Sequence, residues 1–317
     1  MENNYFCIAD HIVCIRFADS NVNSMDLLPS FTPFRVDSEA IVMKTGTDKP
    51  DSLLFTLTVD DKLLPIKERK LVRKFDTGNG DTLVYQLPDG GYQYIIRDIA
   101  DRDCCLLICN ERFTECQCAL NGDWTMRSFG LNDALMLVFA FAGSFHNTLL
   151  IHASCIMISS KFTGDSSLSP VAFPFTAKSG TGKSTHTSLW MKHIEGCELM
   201  NDDNPIIRID DQGTSFIYGS PWSGKTPCYR NVKARLGAIT RIERAPQNSI
   251  EREGPVQAFA LLLPACSSMK WDSVIYNNLC DSITQIITST PIYTLYCLPD
   301  EEAARLSFKT LVSSTSL

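Results

Sequence analysis

A glycine-rich stretch near the middle of the chain carries the residue types that bind phosphate groups. It consists of Ala177, Lys178, Ser179, Gly180, Thr181, Gly182, Lys183, Ser184 and Thr185. The apolar residues 171–175 before it predict a buried strand, and residues 185–191 predict a helix. Glycine lets the backbone N–H groups of such a loop turn inward, and the helix N-terminus adds partial positive charge. We therefore expect a phosphate-binding loop, or P-loop, in which Lys183 reaches the β- and γ-phosphates of a nucleotide and Ser184 ligates Mg²⁺.

A second stretch, residues 219–226, matches the strict P-loop pattern better, but its surroundings do not suit a phosphate cradle. Pro221 stiffens the backbone where a cradle must curl, and residues 232–243 predict a strand where a P-loop needs a helix. We expect instead a second functional loop, in which Lys225 and Arg230 contact a phosphate or the substrate. A surface loop with scattered charges is the alternative.

Two adjacent acidic residues follow the glycine-rich stretch. Asp202 and Asp203 end a predicted strand about 20 residues after Lys183. A P-loop enzyme needs carboxylates there, one to hold Mg²⁺ and one to take a proton from a hydroxyl nucleophile. A polar turn is the alternative, because Asp-Asp-Asn-Pro also favours turns. His152, at the end of a predicted strand, is a candidate neighbour of this site, with a structural histidine as the alternative.

Composition excludes several classes of protein. The 317 residues carry a net charge of −7 and show no basic clustering, which argues against a nucleic-acid binder. No apolar stretch approaches the ~20 residues of a membrane span, and the N-terminus lacks the basic region of a signal peptide, so we expect a cytoplasmic protein. The thirteen cysteines form no disulfide or metal-binding pattern and are expected to be reduced thiols.

Strand and helix patterns divide the chain in two. Residues 1–130 contain short strand patterns separated by turns and predict a β-rich domain of antiparallel meanders. Residues 131–317 mix strands with helices and contain the P-loop. Helices are predicted at residues 132–142, 185–191, 255–263, 272–289 and 299–312. Polar residues 161–170 predict a surface turn between strands.

Three features together resemble the C-terminal domain of HPr kinase/phosphorylase, whose core is shared with ATP-dependent phosphoenolpyruvate carboxykinase. They are His152 after an apolar strand, the loop at residues 179–184, and residues 199–203. The resemblance covers roughly residues 145–317. It implies an α+β or α/β chain in which the N-terminal β-rich domain precedes a P-loop kinase domain of the HPr kinase/carboxykinase type.

The resemblance also implies site residues, cofactors and partners. ATP and Mg²⁺ would be the cofactors, and a serine of a protein or peptide would accept the phosphoryl group. Asp202 would be the catalytic base with His152 lining its pocket, Ser184 and Asp203 would hold the metal, and Lys225 with Arg230 would serve the substrate loop. The nucleotide would contact Ser179, Gly180, Thr181, Gly182, Lys183, Ser184 and Thr185. HPr kinases assemble as homo-oligomers, so a homo-oligomer is implied as well.

Two other functions remain open from the sequence. One is a nucleotide-sensing regulatory or interaction protein without catalysis, although a sensor has no need of the base that a second aspartate supplies. The other is a carboxykinase-like enzyme acting on a small acid. That enzyme would need an additional Mn²⁺ site built from Lys, His and Asp, which no spacing in this sequence provides.

Overall fold

The chain folds into two compact units. The computed structural model describes residues 2–37, 53–76, 80–159 and 169–314. The first unit comprises Met1–Phe145 and Met269–Ser273, and the second comprises His146–Ser268 and Val274–Leu317. The division follows Phe145 and not residue 130, because the helix that precedes Phe145 packs on the sheet of the first unit.

A nine-stranded mixed sheet forms most of the first unit. Its strands are β1 (Glu2–Ile8), β2 (His11–Phe17), β3 (Arg35–Val36), β4 (Leu53–Val59), β5 (Lys70–Asp76), β6 (Asp81–Gln86), β7 (Tyr92–Arg97), β8 (Asp103–Cys109) and β9 (Glu115–Leu120). They lie in the order β3-β1-β2-β4-β9-β8-β7-β6-β5. Strands β5 to β9 form an antiparallel meander, as predicted. The predicted antiparallel pattern fails at β4, which runs parallel to both β2 and β9.

One long helix, α1 (Trp124–Ser144), covers this sheet and contacts β4, β7, β8 and β9. The side chain of Asp123 caps it by accepting a hydrogen bond from the backbone N–H of Met126 at 3.0 Å. The sequence predicted a later start, at residue 132. Gly130 lies where α1 crosses β8, and a Cβ there would come within 2.9 Å of the backbone of Cys104. This glycine allows close packing and does not end the helix.

A ten-stranded mixed sheet forms the second unit. Its strands are β10 (Thr148–Leu150), β11 (Ala153–Ile158), β12 (Val171–Thr176), β13 (Cys197–Asp203), β14 (Ile206–Ile209), β15 (Ser215–Tyr218), β16 (Lys233–Leu236), β17 (Ile239–Arg244), β18 (Ser249–Arg252) and β19 (Ile292–Cys297). The path is β10-β14-β15-β16-β12-β17-β19-β18, with β11 paired to β12 and β13. The predicted single strand at residues 232–243 is two strands, and between them Gly237 approaches the ring of Phe173 too closely for a side chain.

Four helices cover the two faces of this sheet: α2 (Lys183–His193), α3 (Pro255–Leu262), α4 (Ser273–Ser289) and α5 (Glu301–Ser314). Successive residues of β12 point to opposite faces. Phe173 therefore packs with α2 and α5, where Trp190 is fully buried, whereas Ala172 packs with α3 and α4 around Ile283. The predicted helices in this half of the chain are confirmed to within a few residues.

The two mixed sheets and few helices agree with the predicted α+β class. All thirteen cysteines are free thiols, most of them buried. In the described ranges, no helix has both the length and the apolar character needed to cross a membrane. Two of the predicted turns fall at least partly outside the described residues, at 77–79 and at 161–168.

Candidate functional site

The glycine loop (residues 177–184) joins the end of β12 to the start of α2. Gly180 and Gly182 have φ angles of 76° and 128°, in a region that residues with side chains rarely adopt. No atom lies within 4 Å of a Cβ built on Gly180, so backbone conformation, and not crowding, requires glycine there. Gly182 is also the N-cap of α2 and offers no side chain to its first N–H groups. These groups and the helix dipole suit an anion such as phosphate.

Lys183, the first residue of α2, links the loop to a histidine and an aspartate. Its Nζ lies 2.6 Å from Nε2 of His152 and 3.4 Å from the carbonyl oxygen of Ala177. Nδ1 of His152 lies 3.3 Å from Oδ1 of Asp203. Burial lowers the pKa of His152, and the charge on Lys183 lowers that pKa further, against the opposing effect of Asp203. Neutral His152, protonated on Nδ1, donates to Asp203 and accepts from Lys183.

Ser184 is paired with the other aspartate. Its Oγ donates a hydrogen bond to Oδ1 of Asp202 at 2.9 Å. A hydroxyl and a carboxylate in contact are ligands that suit Mg²⁺, whose remaining ligands are usually phosphate oxygens and water. The residues present therefore fit the ion, but Asp202, and not the predicted Asp203, is the carboxylate that contacts Ser184. Within the described residues no group of three or more His, Cys, Asp and Glu side chains could hold a metal ion.

An unusual backbone conformation places both carboxylates at the glycine loop. Successive strand residues normally point to opposite faces of a sheet, which would separate Asp202 from Asp203. Asp203 has a φ of 143°, which is rare for a residue other than glycine and costs about 1–3 kcal/mol. Asn204 secures the result by donating from Nδ2 to Oδ2 of Asp203 at 2.8 Å. Strain of this kind concentrates at functional sites.

The second loop (residues 219–231) packs directly against the two aspartates. Asn201 anchors it by donating from its side-chain amide to the carbonyl oxygen of Trp222 at 3.0 Å. Gly224 donates its backbone N–H to the carbonyl oxygen of Asp202, and a Cβ on Gly224 would lie 3.3 Å from Cβ of Asp203. No helix follows within residues 219–236. This loop therefore lacks the helix N-terminus of a phosphate cradle and forms one side of the aspartate site.

The two cations predicted for this loop have different surroundings. Arg230 donates to the carbonyl oxygen of Leu199 at 2.6 Å and to Oε2 of Glu198 at 2.8 Å, so it holds the loop to β13. The side chain of Lys225 is exposed and forms no hydrogen bond or ion pair with the described residues. Lys225 follows Gly224 and so lies beside the carboxylate pair. Of the two, only Lys225 is free to meet a substrate.

Sequence reasoning missed Arg244, which binds the glycine loop from β17. Its guanidinium donates to the carbonyl oxygens of Gly180 and Thr181 at 2.6 and 3.0 Å. Strands β12 and β17 are parallel neighbours, so their carboxyl ends meet at one edge of the sheet. Knowledge of the strand order would have identified Arg244 as a neighbour of the loop. The sequence alone gives no such signal, because Arg244 is far from Lys183 along the chain. Beside it lies a cavity of about 450 Å³ between the loop, α2 and the ends of β17 and β19.

His186, in the first half of α2, is buried and only 3% exposed. Its Nε2 lies 3.1 Å from Oγ of Ser307 on α5, which also accepts from Nε1 of Trp190 at 2.9 Å. These contacts tie α2 to α5 and so fix the helix that begins at the glycine loop. His193, at the other end of α2, lies 3.3 Å from Glu301.

Burial of His186 should make stability depend on pH. Burial lowers the pKa of His186 to about 4, whereas the unfolded value is about 6.5. As the pH falls, His186 therefore takes up a proton in the unfolded chain before it does so in the folded protein. The free energy of unfolding should be highest above pH 6.5 and fall by about 3 kcal/mol as the pH drops to 4. The measurement is the free energy of unfolding in urea at pH 7 and pH 4.5, for wild type and His186→Gln. An equal pH dependence in both proteins would contradict this account.

The described structure brings five predicted residues together at one end of the second unit's sheet: Lys183, Ser184, His152, Asp202 and Asp203. It leaves Arg230 in a supporting position and adds Arg244. Neither a protein-family model nor a curated protein matches this sequence.

Proposed function

We propose that the chain is an ATP- and Mg²⁺-dependent phosphotransferase that acts on a serine of a protein or peptide. The observation that supports this best is that two carboxylates are linked to one glycine loop, one directly and one through a histidine. Asp202 contacts Ser184, and Asp203 reaches Lys183 through His152. Nucleotide binding alone needs a lysine, a hydroxyl and one carboxylate, whereas a second, oriented carboxylate suits proton transfer. The resemblance to HPr kinase/phosphorylase supplies the acceptor class.

On this proposal Lys183 binds the phosphate groups and Ser184 helps to hold the Mg²⁺ ion that accompanies them. Burial lowers the pKa of Lys183, while Asp203 and Asp202 act in the opposite direction. Lys183 exchanges His152 for a phosphate oxygen when a triphosphate enters the loop, because an ammonium–phosphate bond is stronger than one to a neutral imidazole. Ser184 and Asp202 would hold Mg²⁺, which when bound neutralises charge that develops on the phosphates.

Asp203 is the better candidate for the base that accepts the proton of the serine hydroxyl. Asp202 is 4% exposed and already accepts from Ser184, whereas the side chain of Asp203 is 33% exposed. His152 and Asn204 each donate to one oxygen of Asp203 and fix its orientation. The proton passes to Asp203 as the serine oxygen bonds to the γ-phosphorus and the bond to ADP breaks. These roles are the reverse of those predicted from the sequence.

The second loop supplies the acceptor side of the proposed site. Gly224 packs on Asp203, and the next residue, Lys225, is exposed. A cation there can steer an acidic acceptor segment towards Asp203 or meet the transferred phosphoryl group. Arg230 contributes indirectly, by holding the loop against Glu198 and Leu199.

Transfer from ATP labelled in the γ-phosphate tests the proposal. Full-length protein with Mg²⁺ should move label to serine in a randomised serine peptide library, and more slowly to water, with phosphoserine identified by mass spectrometry. Lys183→Met should abolish both reactions because it removes the charge that positions the γ-phosphate. Lys225→Met should slow transfer to peptides and leave hydrolysis unchanged.

A second outcome would select the nucleotide-sensing alternative. If wild-type protein binds ATP but moves label neither to peptide nor to water, the second carboxylate has no catalytic role. The chain would then be a nucleotide-binding regulatory protein. Turnover of oxaloacetate that depends on Mn²⁺ would instead favour a carboxykinase-like enzyme.

A further inference from the structure

The cavity beside the glycine loop has no role in the chemistry described above. Its volume of about 450 Å³ falls in the range of roughly 300–1,000 Å³ typical of small-molecule sites. Gly180, Gly182 and Thr185 line one side of it, where a bound triphosphate would lie. The cavity therefore begins where the phosphate-binding groups end.

The far wall of the cavity is largely apolar. It is lined by Leu189 of α2, by Ile242 of β17, and by Cys297, Leu298 and Pro299, which end and follow β19. Ile242 and Cys297 are buried. A wall of aliphatic, sulfur and proline atoms suits the flat face of an aromatic base and offers no side-chain hydrogen bonds to its edge.

Several polar groups around that wall are already engaged. The backbone N–H of Leu298 donates to Oδ1 of Asn248 at 2.8 Å, and that of Ala245 donates to the carbonyl oxygen of Cys297 at 3.2 Å. Nε2 of His186 is bonded to Ser307. These bonds fix that wall before any ligand enters and occupy groups that could otherwise distinguish one base from another.

Arg244 stands at the border between the loop and the cavity. Its bonds to the carbonyl oxygens of Gly180 and Thr181 hold the guanidinium in place. A planar guanidinium stacks on aromatic rings, and its positive charge also favours the nearby phosphates. Arg244 therefore favours a ligand that joins an aromatic base to an anionic chain.

We infer that this cavity holds the base and ribose of the donor nucleotide and accepts purine bases without strong discrimination, so that both ATP and GTP bind. This inference rests on the proposed function, since it assumes that the glycine loop binds the phosphates. Discrimination between purines needs buried donors and acceptors at the base edge, and the groups of the far wall described above do not supply them.

Calorimetry with Mg²⁺ and three ligands tests the inference: ATP, GTP and inorganic tripolyphosphate. The affinities for ATP and GTP should agree within about tenfold, and each should exceed that for tripolyphosphate by about tenfold or more. Ala245→Phe fills the cavity and should reduce both nucleotide affinities to the level of tripolyphosphate, whose own binding stays unchanged. The matched control is Val256→Phe, at a position of α3 that is 86% exposed, and it should behave as wild type.

Each contrary result has a distinct meaning. Tripolyphosphate binding as tightly as ATP would show that the cavity holds no nucleoside and would overturn the inference, while the glycine loop keeps its proposed role. A preference for either nucleotide of more than about tenfold would overturn the lack of base discrimination. If wild-type protein binds none of the three ligands, the proposed function falls and the inference falls with it.

Discussion

Replacing Lys183 with methionine should lower the affinity for MgATP by about 100-fold, because a charge-assisted bond to phosphate is lost from a half-buried site. Methionine keeps the length and much of the volume of lysine, so α2 and the glycine loop should remain folded. His152 would lose the partner that lies 2.6 Å from its Nε2 but would keep Asp203. Titration calorimetry measures the affinity, and thermal unfolding checks the fold.

Lys225→Met is the matched control for this experiment. Lys225 belongs to the stretch that fits the strict P-loop pattern, yet no helix follows it and its side chain is exposed. MgATP affinity should therefore stay within about threefold of wild type, as expected for an exposed charge. Loss of binding in Lys225→Met alone would move the phosphate site to the second loop and remove the basis of the proposed function.

Replacing Asp203 with asparagine should reduce phosphoryl transfer by about 10²–10⁴-fold, the usual contribution of a general base. MgATP affinity should change little, because Asp203 does not contact Ser184. Asp202→Asn, by contrast, should change nucleotide binding. It removes the carboxylate that accepts a hydrogen bond from Ser184 at 2.9 Å, so the affinity for the nucleotide should no longer depend on Mg²⁺. Single-turnover kinetics and calorimetry with and without Mg²⁺ separate the two effects.

Asp211→Asn provides the control, since this exposed carboxylate lies in the turn between β14 and β15. It should affect neither binding nor transfer. If Asp202→Asn abolishes transfer while Mg²⁺-dependent binding survives, and Asp203→Asn shows the metal defect, the roles revert to those predicted from the sequence.

Local sequence patterns predicted most elements of the second unit. The strand–glycine loop–helix order at residues 171–191 is visible because apolar runs, glycine and helix-forming residues act within a few positions of each other. The same patterns failed where the bounds of an element depend on residues that are distant in the sequence. Gly130 lies inside α1, and Gly237 lies between β16 and β17. At each of these glycines the backbone approaches another element too closely for a side chain. Neither neighbour is near in sequence.

The sequence alone determined which residues are the candidates for binding phosphate and metal. The glycines shape the backbone of the loop, and Lys183, Ser184, Asp202 and Asp203 follow at recognisable spacings. Only the tertiary structure decided how these groups pair. The unusual φ of Asp203, the contacts of Arg230 with β13 and the reach of Arg244 to the loop all depend on strand order and side-chain direction. The spacing of residues along the chain does not predict these features, because hydrogen bonds depend on the distances between atoms in the folded protein.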